Sequence, residues 1–185
     1  SGGEADFSAQ LATIKASGAQ VVLVPGYYTE GAAIALQARR QGITVPLLGG
    51  DGWDSEELGK IGGEAIVGSY YSNHSSPDQP TMKDFVAKFK AEYGNQTPDA
   101  LAGLGYDAMN LFFDAMKRAK SLSGPDLRDA IAATKGFKGV TGDITIDEKR
   151  NARKPLVIVK MVKQAGGTVG PAYEASVEPP ADAGK

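Results

Sequence analysis

Four side chains in two short stretches stand out for the chemistry they could perform. Gly26-Tyr27-Tyr28-Thr29-Glu30 carries two phenol rings, and Gly49-Gly50-Asp51-Gly52-Trp53 sets a carboxylate and an indole among glycines. A carboxylate pairs with an ammonium group, and a cation held over an aromatic face gains roughly 0.5–2 kcal/mol. Glycines leave room for backbone to approach a small molecule. Tyr27, Tyr28, Asp51 and Trp53 are therefore the candidate ligand-binding residues, suited to a small molecule that bears an amine. By position alone, an acid in a glycine turn is usually a solvated loop acid or a helix cap, and aromatics at a strand end are as often packing groups.

The elements that must position these residues read as alternating helices and strands. Phe7, Leu11 and Ile14 share one helical face, and Gly18 stops that helix. Val21-Val22-Leu23-Val24-Pro25 is a continuous aliphatic run, the pattern of a parallel strand buried on both faces. A second helix is predicted from Thr29 to about Arg40 with Gly42 as its stop, and Val45-Pro46-Leu47-Leu48 is a second strand. Asp54 or Ser55 caps a short helix to Lys60, and Ala65 to Tyr71 is a third strand. This alternation predicts an α/β fold with a parallel sheet and right-handed crossovers. Such sheets bind ligands beyond the carboxyl ends of their strands, where both stretches lie, one βα unit apart.

Beyond the third strand the pattern changes. Asn73 to Pro80 is a polar, proline-containing connector, read as a hinge. Three helices follow without an intervening strand: one with Met82, Phe85, Val86, Phe89 and Tyr93 on a stripe, one from Pro98-Asp99 to about Ala119, and one opened by Pro125-Asp126. They cannot extend the first sheet and must cover another surface. Gly142 to Asp147 and Leu156 to Val162 are further strands, and the stretch from about Gly166 to Lys185, rich in Gly, Pro and Ala, is expected to be a loosely ordered tail.

Composition narrows the function. Twenty basic and 22 acidic residues are interleaved along the 185, so no basic patch offers itself to a phosphate backbone and no nucleic-acid partner is expected. The apolar runs are too short to span a bilayer as a helix. With no cysteine there are no disulfides, zinc–thiolate sites or thiol nucleophiles. The one histidine, His74, could not by itself build a metal site or a Ser–His pair and is read as a solvated connector residue. Gly103-Leu104-Gly105-Tyr106-Asp107-Ala108 loosely resembles a dinucleotide fingerprint, but it lies within a helix and not between a strand and a helix. Asp143, Asp147 and Glu148 lack calcium-loop spacing. No catalytic constellation, cofactor or metal is predicted; the reading is a binding module and not an enzyme.

The stretches Phe7 to Lys15, Gly26 to Glu30, Gly49 to Asp54, Tyr106-Asp107-Ala108 and Gly139-Val140-Thr141-Gly142 together resemble the branched-chain amino acid (leucine/isoleucine/valine) periplasmic binding proteins of ABC transporters. The resemblance runs in family order over roughly Asp6 to Met161 and corresponds to the carboxy-terminal half only. It implies the two-lobed type I fold, parallel sheets flanked by helices, present here as an incomplete portion. It implies that residues 6–73 are part of the carboxy-terminal lobe, 74–150 helices and a crossover of the amino-terminal lobe, and 154–163 a return to the carboxy-terminal lobe, with 164–185 as the tail. It implies that Tyr27 packs against the ligand and Asp51 receives its α-ammonium group, with Tyr28 and Trp53 near the cleft. An exported, periplasmic protein is expected, its signal peptide outside this chain. The expected partners are an amino acid or analogue, ABC transporter membrane subunits, and a complementary amino-terminal segment, supplied by a second chain, a rearranged order or a split sensor. The rival readings are a ligand-sensing receptor domain on the same fold and an α/β enzyme whose chemistry lies in the other half.

Overall fold

The computed structural model describes residues 5–180. The chain forms two compact units, one built from the chain up to Asn73 together with Ile158–Ala175, the other from His74–Val157 and the chain from Ser176 onward.

In the first unit the order is α1 (Ser8–Ser17), β1 (Val22–Leu23), α2 (Tyr28–Arg40), β2 (Leu47–Gly49), a 3-10 turn (Asp51–Trp53), α3 (Glu56–Gly62), a second 3-10 turn (Gly63–Ile66) and β3 (Tyr70–Asn73). The unit is completed by β7 (Leu156–Lys163), whose amino-terminal end lies in the second unit, and β8 (Val169–Val177). The sheet order is β1-β2-β3-β7-β8, and β1, β2 and β3 pair in parallel. Local chemistry explains much of this. Gly18 adopts φ 69° and closes α1 through its N–H to the Lys15 carbonyl. The Ser55 hydroxyl accepts the Glu57 N–H and caps α3, the second of the two candidates named for it. Leu11 of α1 meets Ala38 of α2 and Ile43, with Phe7, Ile14, Ile34 and Val45 packed around them. Arg39, at the end of α2, is more than a charged helix end: its guanidinium donates to the carbonyls of Ile43, Val45 and Ala65.

Three local expectations are corrected. The first strand is short and not buried on both faces: Val22 and Val24 are buried but Val21 and Leu23 are exposed, so successive side chains point to a covered and an uncovered face. The segment expected as the third strand begins instead as the 3-10 turn that buries Ile66; Gly68, at φ 81°, breaks it, and the strand starts at Tyr70. The stretch expected as a loose tail contains β8. The Gln164 N–H bonds the Thr168 carbonyl, turning the chain so that β8 lies beside β7, and Val169 seats its carbonyl against α3. A Cβ at Gly59 of α3 would lie 2.1 Å from that carbonyl oxygen. Gly59→Ala is accordingly expected to cost roughly 1–3 kcal/mol by forcing α3 off β8. A urea midpoint unchanged from wild type would show that β8 is not fastened there. The portion of the tail beyond Pro180 lies outside the described residues.

The second unit carries α4 (Lys83–Glu92), α5 (Ala100–Arg118) and α6 (Gly124–Ala132), followed by an antiparallel sheet of β4 (Phe137–Gly139), β5 (Gly142–Ile146) and β6 (Ala152–Arg153). Asp99 and Ser123 cap α5 and α6 through their side chains. Leu111, Ile144 and Ile146 form its small core with Ile131 and Phe137. Buried Asp107 of α5 holds the β4–β5 turn: one carboxylate oxygen accepts the Val140 N–H at 2.7 Å, and the other accepts the Thr141 N–H and hydroxyl at 2.8 and 2.7 Å. The polar connector after β3 is folded in: Ser75, Ser76 and Gln79 are buried, and the Lys154 ammonium donates to the carbonyls of His74 at 2.5 Å and Pro155 at 3.0 Å. Burial holds the Lys154 ammonium below its ordinary pKa, opposed by the nearby Asp107 carboxylate.

Candidate ligand-binding site

Parallel pairing brings the two chemically marked stretches together. Val22 is opposite Leu47 and Leu23 opposite Leu48, and the Val24 N–H reaches the Leu48 carbonyl at 2.8 Å. The chain therefore leaves β1 and β2 side by side. After β1, Gly26 turns at φ 146°, a conformation that side chains rarely adopt, and Tyr27 takes the position before the first turn of α2. After β2, Gly50 remains extended and Asp51 opens the 3-10 turn, which the Trp53 N–H closes on the Gly50 carbonyl.

The two loops touch at Gly52. A Cβ there would lie 2.6 Å from the Gly26 carbonyl oxygen and 3.1 Å from Cδ1 of the Tyr27 ring. Only a residue without a side chain lets the Tyr27 ring rest against the backbone next to Asp51. Tyr27 is 70% exposed, and Asp51 is exposed as well. An exposed aromatic ring and a carboxylate thus lie on adjacent loops at the carboxyl edge of a parallel sheet, the edge where such sheets bind ligands. Tyr28, in the first turn of α2, is half-buried.

Trp53 stands apart from this pair, and its expected place at a cleft is corrected. Its indole is fully buried, and it lies where a Cβ on Gly31 of α2 or Gly49 of β2 would come within 2.8 and 2.2 Å of the ring. It meets Tyr71 of β3 with ring centroids 6.4 Å apart, tilted by 49°. Trp53 thus fills the space between α2 and the sheet beneath the loops, and its Nε1 has no hydrogen-bond partner. The physical reason is size: with glycine at 31 and 49 the layer leaves a hole that an indole fills, and a large ring gains more from burial than from solvent. Below it, the Tyr71 hydroxyl donates to Asp54 at 3.4 Å; burial, reinforced by the Asp54 charge, pushes the phenol pKa upward, so it stays protonated at neutral pH.

What sequence reasoning missed here is supportive and not chemical. Gly52 joins the loops and Gly31 and Gly49 admit the indole; the only advance signal was the density of glycine around Asp51. Among the described residues no group of three or more His, Asp or Glu side chains could hold a metal, and no helix is long and apolar enough to cross a membrane.

Comparison with known proteins identifies the family of the fold. The model of the periplasmic binding protein family matches residues 1–168. A Leu/Ile/Val-binding protein homolog from Brucella suis is 34% identical over 167 residues, covering 89% of this chain and 44% of that protein. Among solved structures, a leucine binding protein from Thermotoga maritima superimposes with a TM-score of 0.82 at 39% identity, over 96% of this chain and 50% of its own. The branched-chain amino acid transporter substrate binding protein of Streptococcus pneumoniae, solved in complex with isoleucine, gives 0.77 at 34% identity, over 96% and 50%. The chain thus spans about half the length of the relatives it matches, and its described elements are part of the two-lobed α/β fold of type I periplasmic binding proteins. With its parallel-sheet unit, its joined loops and a family match over nearly the whole chain, this protein belongs to the periplasmic binding protein family, among the relatives of branched-chain amino acid binding proteins.

Proposed function

We propose that this chain is the carboxy-terminal half of an ABC transporter solute-binding protein that captures an amino acid or a close analogue in the periplasm. In this reading the first unit is part of the carboxy-terminal lobe, the second unit part of the amino-terminal lobe, and the ligand lies in a cleft completed by the half of the relatives' length that this chain does not span. Asp51 pairs with the ligand's ammonium group, and Tyr27 packs over it, with Tyr28 at the margin. The observation that carries the proposal is the contact at Gly52, which sets the Tyr27 ring against the backbone beside Asp51. Ligand contacts to both lobes would favour a closed form that presents a surface to the transporter's membrane subunits.

The test is a thermal-shift screen of leucine, isoleucine, valine, glutamate and γ-aminobutyrate against the chain joined to its complementary half. A ligand at about one hundred times its Kd stabilises by about 2.7 kcal/mol, a clear upward shift in Tm. No shift with any amine-bearing ligand, when the complex itself is intact, would refute the reading. The receptor-domain and enzyme alternatives have no observation in the structure that favours them.

A further inference from the structure

Among the described residues the chain passes between the two units three times: from Asn73 to His74, from Val157 to Ile158 and from Ala175 to Ser176. Each passage lies within or at the end of a strand, β3, β7 and β8 in turn, and these strands are successive neighbours in the sheet order. Inside the first unit the backbone joins β3 to β7: the Met161 N–H donates to the Ser69 carbonyl at 2.9 Å, and the Gly68 N–H to the Met161 carbonyl at 2.9 Å. Inside the second unit two cationic side chains just ahead of β7, Arg153 and Lys154, do the gathering. The Lys154 ammonium donates at 2.5 Å to the carbonyl of His74, the first residue past the first passage. It donates again, at 3.0 Å, to the carbonyl of Pro155, which leads into the second. The Arg153 guanidinium donates at 2.8 Å to the carbonyl of Pro180, soon after the third.

Lysine is an unfavourable occupant of this place. Lys154 is 9% exposed, and an ammonium is rarely buried so far without a close ionic partner. A methionine would fill a similar volume without desolvating a charge. Packing therefore does not account for Lys154, whereas the carbonyls it holds do. Within the connector it reaches, Ser76 and Gln79 use their side chains on the connector itself, and the buried Ser75 hydroxyl has no hydrogen-bond partner. The bond from Lys154 spans 80 residues of sequence.

We infer that Arg153 and Lys154 form a hinge tie, a positioning pair that gathers the three passages and so sets the fraction of the protein competent to bind. The inference rests on the proposed function, in which both lobes contact one ligand, but neither residue is placed in the ligand site. Loosened passages multiply the arrangements open to the chain, and apparent affinity falls in proportion to the competent fraction. That loss is common to every ligand, whereas a loss at Asp51 falls on the ammonium group alone.

The experiment compares Lys154→Met and Arg153→Met with wild type, each joined to the complementary half. Hydrogen exchange read by mass spectrometry, without added amino acid, reports the tie itself. In Lys154→Met the peptide from Asn73 to Gln79 should exchange about tenfold faster, while peptides from α2 and α5 keep their wild-type rates. Calorimetry with leucine and with valine reports the consequence. Both Kd values should rise by one common factor, about tenfold in Lys154→Met and about threefold in Arg153→Met. Arg153 is half-buried, so its variant decides the inference if Lys154→Met does not fold. Connector exchange at the wild-type rate, exchange raised equally throughout the second unit, or affinities that stay unchanged or shift by different factors for the two amino acids would each overturn it. A wild-type protein that binds neither amino acid would refute the proposed function, and the exchange rates would still decide whether the tie exists.

Discussion

Asp51→Asn, in the protein reassembled with its complementary half, is expected to weaken the binding of an amino acid by about 2–5 kcal/mol, or roughly 30- to 5,000-fold in Kd. The substitution keeps the shape and removes the charge. It sits in the 3-10 turn after β2, which the Trp53 N–H closes on the Gly50 carbonyl, and the two loops are joined through Gly52. What is lost is the counter-charge for an ammonium group that a closed cleft would strip of water, and an unpaired buried cation is costly. An analogue lacking the amine should bind wild type and variant alike, which separates charge pairing from general damage. Tyr27→Ala should have a smaller effect, at most about 2 kcal/mol, because a ring face contributes less than a charge. Isothermal calorimetry decides the matter: an unchanged affinity for the amine-bearing ligand in Asp51→Asn takes that residue out of the site.

Asp107→Ala is expected to destabilise the second unit by about 3–5 kcal/mol, the largest effect on stability anticipated for a single side chain here. The carboxylate is 2% exposed and accepts three hydrogen bonds from Val140 and Thr141. Truncation leaves those donors buried without an acceptor and opens a cavity at the α5–β4 junction. Lengthening is no remedy, because Gly139 is already so close that a Cβ there would stand 2.5 Å from the carboxylate. Asp107→Glu should therefore also lose stability. Urea unfolding followed by circular dichroism tests both. A midpoint for Asp107→Ala within error of wild type would mean that the β4–β5 turn is held by something else. Asp107 lies within the glycine-rich helical stretch that mimics a dinucleotide motif, and its three bonds account for the residue without any nucleotide.

How much of this was legible in advance depended on the range of the forces involved. The end of α1 at Gly18, the Ser55 and Asp99 caps, the span of α5 and the strands β5 and β7 follow from contacts within a few residues, and periodicity and capping chemistry reveal them. Elements secured by distant partners were hidden. The segment at β8 is rich in glycine, proline and acid, and it becomes a strand through its place beside β7 and the closeness of Val169 to Gly59. The break at Gly68 needed the knowledge that Ile66 is turned inward before the strand begins.

The candidate site divides in the same way. Residue types and order alone determined that an aromatic residue and a carboxylate follow two successive parallel strands, and that pattern is sufficient to expect an amine-seeking edge. Tertiary structure alone decided which aromatics stay exposed: Trp53, one residue from Gly52, goes inward because glycines at 31 and 49 leave an indole-sized hole, while Tyr27 stays outside against Gly52. A sequence specifies which side chains are near one another along the chain. Which of them face solvent depends on the volumes that remote backbone leaves empty, and those exist only once the layers have packed.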